Sequence, residues 1–141
     1  MRILGLDFGD KTIGVAISDP FLMIAQALET IERKNENEFK IPMKRLAEIV
    51  EEYDVSEIVL GMPKNMNNTE GDRCKKTLLF KERLERRFPK IKVILWDERL
   101  STVAAEKSLI SVGMRRENRK KIIDKMAAHY ILQGYLDGRL K

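Results

Sequence analysis

Residues 1–16, MRILGLDFGDKTIGVA, constrain the fold more than any other stretch. An apolar run over residues 2–8 carries one acid near its end, Asp7. Gly9 and a short polar link follow, and a second apolar run covers residues 13–17. The pattern predicts strand, tight turn, strand. A run apolar on both alternating faces belongs in the middle of a sheet covered on both sides. An ionised carboxylate is costly there unless something compensates it, and a metal ion would do so. The hairpin therefore reads as the floor of an active site, with the rest of the chain supplying walls and further ligands.

The remaining segments are read around that hairpin. Asp19-Pro20 marks a turn, and residues 25–31 form a third strand by position and flanks, with a sequence that fits strand or helix. From Phe39 to Tyr53 a helical period places Ile41, Leu46, Ile49 and Val50 on one face, with Pro42 tolerated in the first turn. Residues 58–61 form a short buried strand, and residues 62–71 form a loop rich in Asn and Gly. Residues 72–88 read as a second helix with Leu79, Leu84 and Phe88 toward the core and Phe80 nearby. Residues 93–96 form a strand running into Asp97-Glu98-Arg99. A third helix starts at Ser101 or Thr102 and runs to about Val112, with Gly113 closing it. A basic cluster over residues 115–121 leads into a last helix from about Glu117 to Leu136.

The order β-β-β-α-β-α-β-α-α predicts an α/β fold. Three meandering strands and two βα units make a mixed five-stranded sheet with helices on its faces and strand 1 beside strand 4. The length of 141 residues fits one domain, residues 1–141, and 43% hydrophobic residues suffice for a core. Cys74 and His129 are each the single residue of their type, which argues against disulfides and against Cys- or His-rich metal sites. No N-terminal apolar stretch is long enough for a signal peptide or membrane span, so a soluble cytoplasmic protein with no membrane contact is expected. The net charge of +5 makes polyanions candidate partners.

Parallel strands deliver their C-terminal ends to one sheet edge, where sites form. Asp7 and one of Asp97 and Glu98 should meet there, and two close carboxylates raise each other's pKa unless a cation lies between them. On the last helix Asp124, Ala128 and Ile131 share a stripe, with Ala127 and Ala128 allowing close approach to the sheet. Three acids from distant elements suit Mg²⁺ or Mn²⁺ and point to two-metal hydrolysis of a phosphodiester. Each acid alone has a plainer reading: a turn with an Asx hydrogen bond at Asp7, a surface charge run at Asp97-Glu98-Arg99, a lysine pair or helix-terminus acid at Asp124. Cys74 is read as a small apolar filler, Trp96 as core and His129 as structural. The conjunction of three acids favours the site.

Four stretches carry a family resemblance: LGLDFGDKTIGVAISD at residues 4–19, IVLGMPKNMNNT at 58–69, LWDERLSTVAAE at 95–106 and KKIIDKMAAHYILQGYLD at 120–137. Together they resemble the YqgF (RuvX) family over essentially the whole chain. The resemblance implies a ribonuclease H-like fold and a metal-dependent nuclease active in 5′-end processing of pre-16S rRNA, with Holliday junction resolution on branched DNA as the alternative. It maps the acidic triad onto Asp7, Glu98 and Asp124, and it alone selects Glu98 over Asp97. It puts pre-rRNA ahead of branched DNA as partner and brings in ribosomal precursor particles. Lys11, Lys64, Arg99, Arg115, Arg116 and Arg119 flank the acids in sequence and are candidates for nucleic-acid contacts. The chain departs from relatives at Asn68, often Gly, and at Thr12, often Arg; the second departure leaves Lys11 to supply charge there. Two other readings stand beside the nuclease: a non-catalytic RNA-binding module of the same fold, and an ATP-binding domain of the sugar kinase and actin type. The latter needs a second domain and a second glycine-rich phosphate loop that this chain lacks. The sequence leaves monomer or dimer open.

Overall fold

The computed structural model describes residues 1–63, 72–97, 113 and 115–139, with the backbone alone for residues 72, 116, 117 and 119–125. In chain order the elements are β1 (Arg2–Phe8), β2 (Thr12–Ser18), β3 (Ala25–Glu32), α1 (Lys40–Glu52), β4 (Val55–Met62), α2 (Asp72–Arg87), β5 (Lys92–Asp97) and α3 (Arg116–Arg139). The strands form one sheet in the order β3-β2-β1-β4-β5. β1 pairs antiparallel with β2 and parallel with β4, β2 pairs antiparallel with β3, and β4 pairs parallel with β5. This is the expected mixed sheet with β1 beside β4 at its centre. The expected helix over residues 101–112 lies outside the described residues.

Alternation along β1 divides the core in two. Leu4, Leu6 and Phe8 join the cluster under α1 and α2, with Leu46, Ile49, Ile58, Leu60, Phe80 and Leu84. Ile3 turns to the other face, where Ala128, Ile131, Leu132 and Leu136 of α3 pack with Ala16 and Val59. Gly5 and Gly14 let α3 lie close: a Cβ at Gly5 would stand 2.7 Å from Leu132 Cβ, and one at Gly14 would stand 3.5 Å from Ala128 Cβ. Glycine inside a strand marks such close approaches.

Several local expectations are corrected. β4 is longer than residues 58–61, and β5 extends to include Asp97. Ile41 is 55% exposed and Leu79 59% exposed, so neither faces the core. On α2 the buried row is Cys74, Thr77, Phe80 and Leu84, with steps of three and four residues, and Leu79 falls a residue off that row. The last helix starts at Arg116, inside the basic cluster, and is interrupted at Met126, whose φ of −111° and ψ of 15° are not helical. Trp96 packs edge-on against Tyr135 at 5.8 Å. Cys74 is buried, with its Sγ donating to the Pro63 carbonyl.

Candidate functional site

Asp7 stands next to last in the central strand β1 and pairs with Gly14 of β2. It shares the alternation of Ile3 and Gly5, so it belongs to the α3 face. A Cβ at Gly14 would touch both Asp7 Cβ, at 3.6 Å, and Ala128 Cβ. The missing methyl group thus keeps open the space between the acid and α3. Asp7 is half-buried, with Oδ1 withdrawn from solvent.

The helix that carries the second expected acid packs on the same face of the sheet. Leu132 lies over Gly5, and Ala128 lies beside Gly14, the partner of Asp7. Going toward the N-terminus, α3 therefore runs along β1 toward its C-terminal end. The Asp124 backbone precedes Ala128 by four residues, and the Met126 interruption lies between them. The Asp124 side chain is outside the described residues, and Glu98 lies outside them altogether.

Asp97 is described, and the alternation of β5 gives its face. Val93 and Leu95 pack into the α1–α2 cluster, while Trp96 packs into the α3 cluster. Asp97 follows the alternation of Val93 and Leu95, so it belongs to the face opposite Asp7. Register agrees: Asp97 pairs with Met62, while Trp96 pairs with Gly61. β5 is also two strand spacings from β1, about 10 Å.

The basic residues divide likewise. Lys11 is exposed on the β1–β2 turn, and Arg115 is exposed just before α3. Arg116 and Arg119 lie in the first turns of α3, with side chains outside the described residues, and Lys64 and Arg99 lie outside them entirely. Among the described residues no group of three or more His, Cys, Asp or Glu is placed to hold a metal ion. Of the expected triad, that set includes the Asp7 side chain only.

One residue that sequence reasoning missed fixes the turn after Asp7. Arg33 is 5% exposed, and its Nη2 donates to the carbonyls of Gly9 at 2.8 Å and Asp10 at 2.9 Å. Its Nη1 donates to the Glu36 carbonyl at 3.2 Å, and its backbone N–H donates to the Lys11 carbonyl at 2.7 Å. The guanidinium lies over the rings of Phe8, at 4.5 Å, and Phe39, at 5.3 Å. Burial pushes its pKa below the ordinary arginine value, while Asp10 and Glu36 partly offset that. Across the turn the Gly9 N–H donates to the Thr12 carbonyl at 2.8 Å. An arginine in a polar loop gives no sequence signal for this role.

Comparison with known proteins follows this geometry. The family model RuvX, described as Holliday junction resolvase, matches residues 1–138. A protein of Agathobacter rectalis named "Putative pre-16S rRNA nuclease" is 57% identical over 137 residues, covering 97% of this chain and 95% of that protein. One of Desulforamulus reducens with the same name is 55% identical over the full length of both. Among solved structures, Thermus thermophilus RuvC in complex with a Holliday junction substrate aligns with a TM-score of 0.63 at 14% identity, over 99% of this chain and 96% of that one. The fowlpox virus Holliday junction resolvase aligns with a TM-score of 0.53 at 16% identity, over 99% of both chains. At these identities the likeness is one of fold: the ribonuclease H-like sheet and helices of such resolvases.

Proposed function

The chain belongs to the RuvX (YqgF) family, and from that premise we propose that it is a metal-dependent endonuclease, one domain over residues 1–141, that trims the 5′ end of pre-16S rRNA. The observation that carries this reading is the position of Asp7. It stands next to last in the central strand and faces α3 across a gap kept open by Gly14. Matching relatives named for pre-16S rRNA support the RNA substrate.

Asp7, Glu98 and Asp124 are the residues proposed to hold the metal. Carboxylate oxygens alone make a donor set that suits Mg²⁺ or Mn²⁺ rather than zinc or copper. The alternation of β5 supports Glu98 over Asp97, because Asp97 is on the other face from Asp7. A bound divalent ion would supply Lewis-acid polarisation of the phosphodiester and an activated water. The chain's own part is to hold its carboxylates at fixed positions on strand and helix. The Arg33 contacts keep the turn after Asp7 from moving. Lys11 and Arg115, both exposed, are placed to contact substrate phosphates. Precursor ribosomal particles are the proposed setting, in the cytoplasm.

A second reading is resolution of branched DNA, favoured by the description of the family model that matches. A resolvase would normally act as a symmetric dimer on two strands. One experiment covers both. End-labelled pre-rRNA 5′ segments and a four-way DNA junction are incubated with Mg²⁺ or Mn²⁺ and either wild type or Asp7→Asn. Metal-dependent RNA cleavage lost in Asp7→Asn is the expected result. Symmetric cuts in the junction alone would replace the rRNA reading with the resolvase one. Binding without cleavage under either metal would leave a non-catalytic RNA-binding module.

A further inference from the structure

Beside the turn that follows Asp7, on the face away from α3, is a cleft of about 370 Å³ between the segment 33–39 and α2. Its walls differ in chemistry. Phe39 and Leu79 give it an apolar side, and Leu79 is 59% exposed although it sits on a helix whose neighbouring row is fully buried. Arg83, Arg86 and Lys76 give it a cationic side. With Arg33 beneath, four cations oppose the two lining carboxylates of Glu36 and Glu82, so the cleft favours an anion.

Two of the cations, Arg83 and Arg86, are not used up by the fold. Arg83 makes no ion pair among the described residues and lays its guanidinium 4.0 Å from the Phe39 ring centre, leaving its other side to solvent. Arg86 reaches Glu82 only at 4.0 Å, with both side chains well exposed. Lys76 is held by Glu36 at 3.1 Å and by Asp10 at 3.6 Å.

We infer that this cleft binds one nucleotide of a single-stranded segment of the substrate, its base against Leu79 and the Arg83 plane and its phosphate toward Arg86. Unstacked bases lie on aromatic rings and arginine planes, and their phosphates seek cations, which is the pairing found here. The volume is near the lower limit of small-ligand clefts, about 300 Å³, which suits one nucleotide and excludes a duplex. The position links it to the acidic edge. Arg33 and Lys76 both touch the turn at Gly9 and Asp10, and Phe8, next to Asp7, lines the cleft. Lys11, exposed, lies on the same turn. The inference rests on the nuclease reading for its biological meaning, although binding can be measured without cleavage.

The test is fluorescence anisotropy of labelled ten-nucleotide RNA and DNA strands of one sequence, in EDTA, with full-length Asp7→Asn protein as the parent. Adding Arg83→Glu and Arg86→Glu together should weaken binding at least tenfold and flatten the dependence of log K on log salt by about 0.7, the value for the one phosphate contact at Arg86 on a single strand. Leu79→Ser, at an exposed position that the fold does not need, should weaken binding about threefold. Lys44→Glu, exposed on α1, should change binding less than twofold. A loss with either strand supports the cleft, and the more affected strand identifies the sugar it prefers. Unchanged affinity in the arginine and Leu79 variants, or an equal loss in Lys44→Glu, overturns it. Cleavage lost in Asp7→Asn together with intact binding by the cleft variants would retain the nuclease and discard the cleft. Weakened binding by those variants with cleavage that survives Asp7→Asn would do the reverse.

Discussion

One added methyl group at Gly5 should unseat α3. An ideal Cβ there would lie 2.7 Å from Leu132 Cβ and 3.2 Å from the Ala128 carbonyl oxygen. Carbon atoms rest at about 3.5–4.0 Å, so the contact is short by roughly 1 Å. Leu132 Cβ is fixed to the helix backbone and Leu132 is fully buried, so no rotamer change relieves the clash. The helix must lift or the sheet must bend. Overpacking of this kind costs about 1–3 kcal/mol. The alanine also restricts the unfolded chain, which returns about 0.4–1 kcal/mol. Gly5→Ala should therefore lose about 1–2 kcal/mol net. In urea unfolding followed by far-UV circular dichroism, the midpoint should fall with the slope unchanged. Gly138→Ala is the contrast: the nearest atom to its new Cβ is Trp96 Cη2 at 3.5 Å, an ordinary contact, and the position is helical. It should hold stability or raise it by up to about 1 kcal/mol. A midpoint for Gly5→Ala equal to or above wild type would refute the packing argument.

Two further perturbations test other parts of the structure. Arg33→Met keeps the apolar stem but leaves three carbonyls without their donor, so it should cost about 2–4 kcal/mol in urea unfolding; a loss under about 0.5 kcal/mol would mean the turn holds itself. Asp19 accepts hydrogen bonds from the amides of Ile24 and Met23, which lower its pKa below the ordinary 3.8. A depressed carboxylate contributes stability that is complete above its unfolded value, near pH 4, and is lost as pH falls through its lower folded value. A carboxyl-resolved NMR titration should place the Asp19 midpoint below 3.8, and Asp19→Ala should make stability less dependent on pH below 4; a midpoint at or above that value would contradict the assignment.

The sheet was legible in the sequence because its central strands announce themselves: β1 and β2 are apolar on both faces, and βα units leave few topologies. What sequence misread was local. Ile41 and Leu79 are apolar residues in solvent, and hydrophobicity alone cannot say which of two adjacent residues, Leu79 or Phe80, takes the buried row. At the site, Asp7 was readable as an acid in a strand that should be apolar. The choice between Asp97 and Glu98 was not, because it depends on where β5 ends and which face its last residue takes, and the strand proved to include Asp97. Arg33 could not be found, since its role comes from carbonyls 23 and 24 residues away in sequence. The cations of α2 were passed over for a like reason: the cleft they line is formed with a segment about 40 residues earlier in the chain.

The most direct measurement is Mn²⁺ binding by isothermal titration calorimetry, on wild type, Asp7→Asn, Glu98→Gln and Asp97→Asn. Wild type should bind Mn²⁺ saturably. Asp7→Asn and Glu98→Gln should each weaken it at least tenfold, while Asp97→Asn, on the opposite face of the sheet, should stay within twofold. Unchanged binding in Asp7→Asn, or a loss in Asp97→Asn as large as that in Glu98→Gln, would contradict a metal site built on the α3 face at the end of β1.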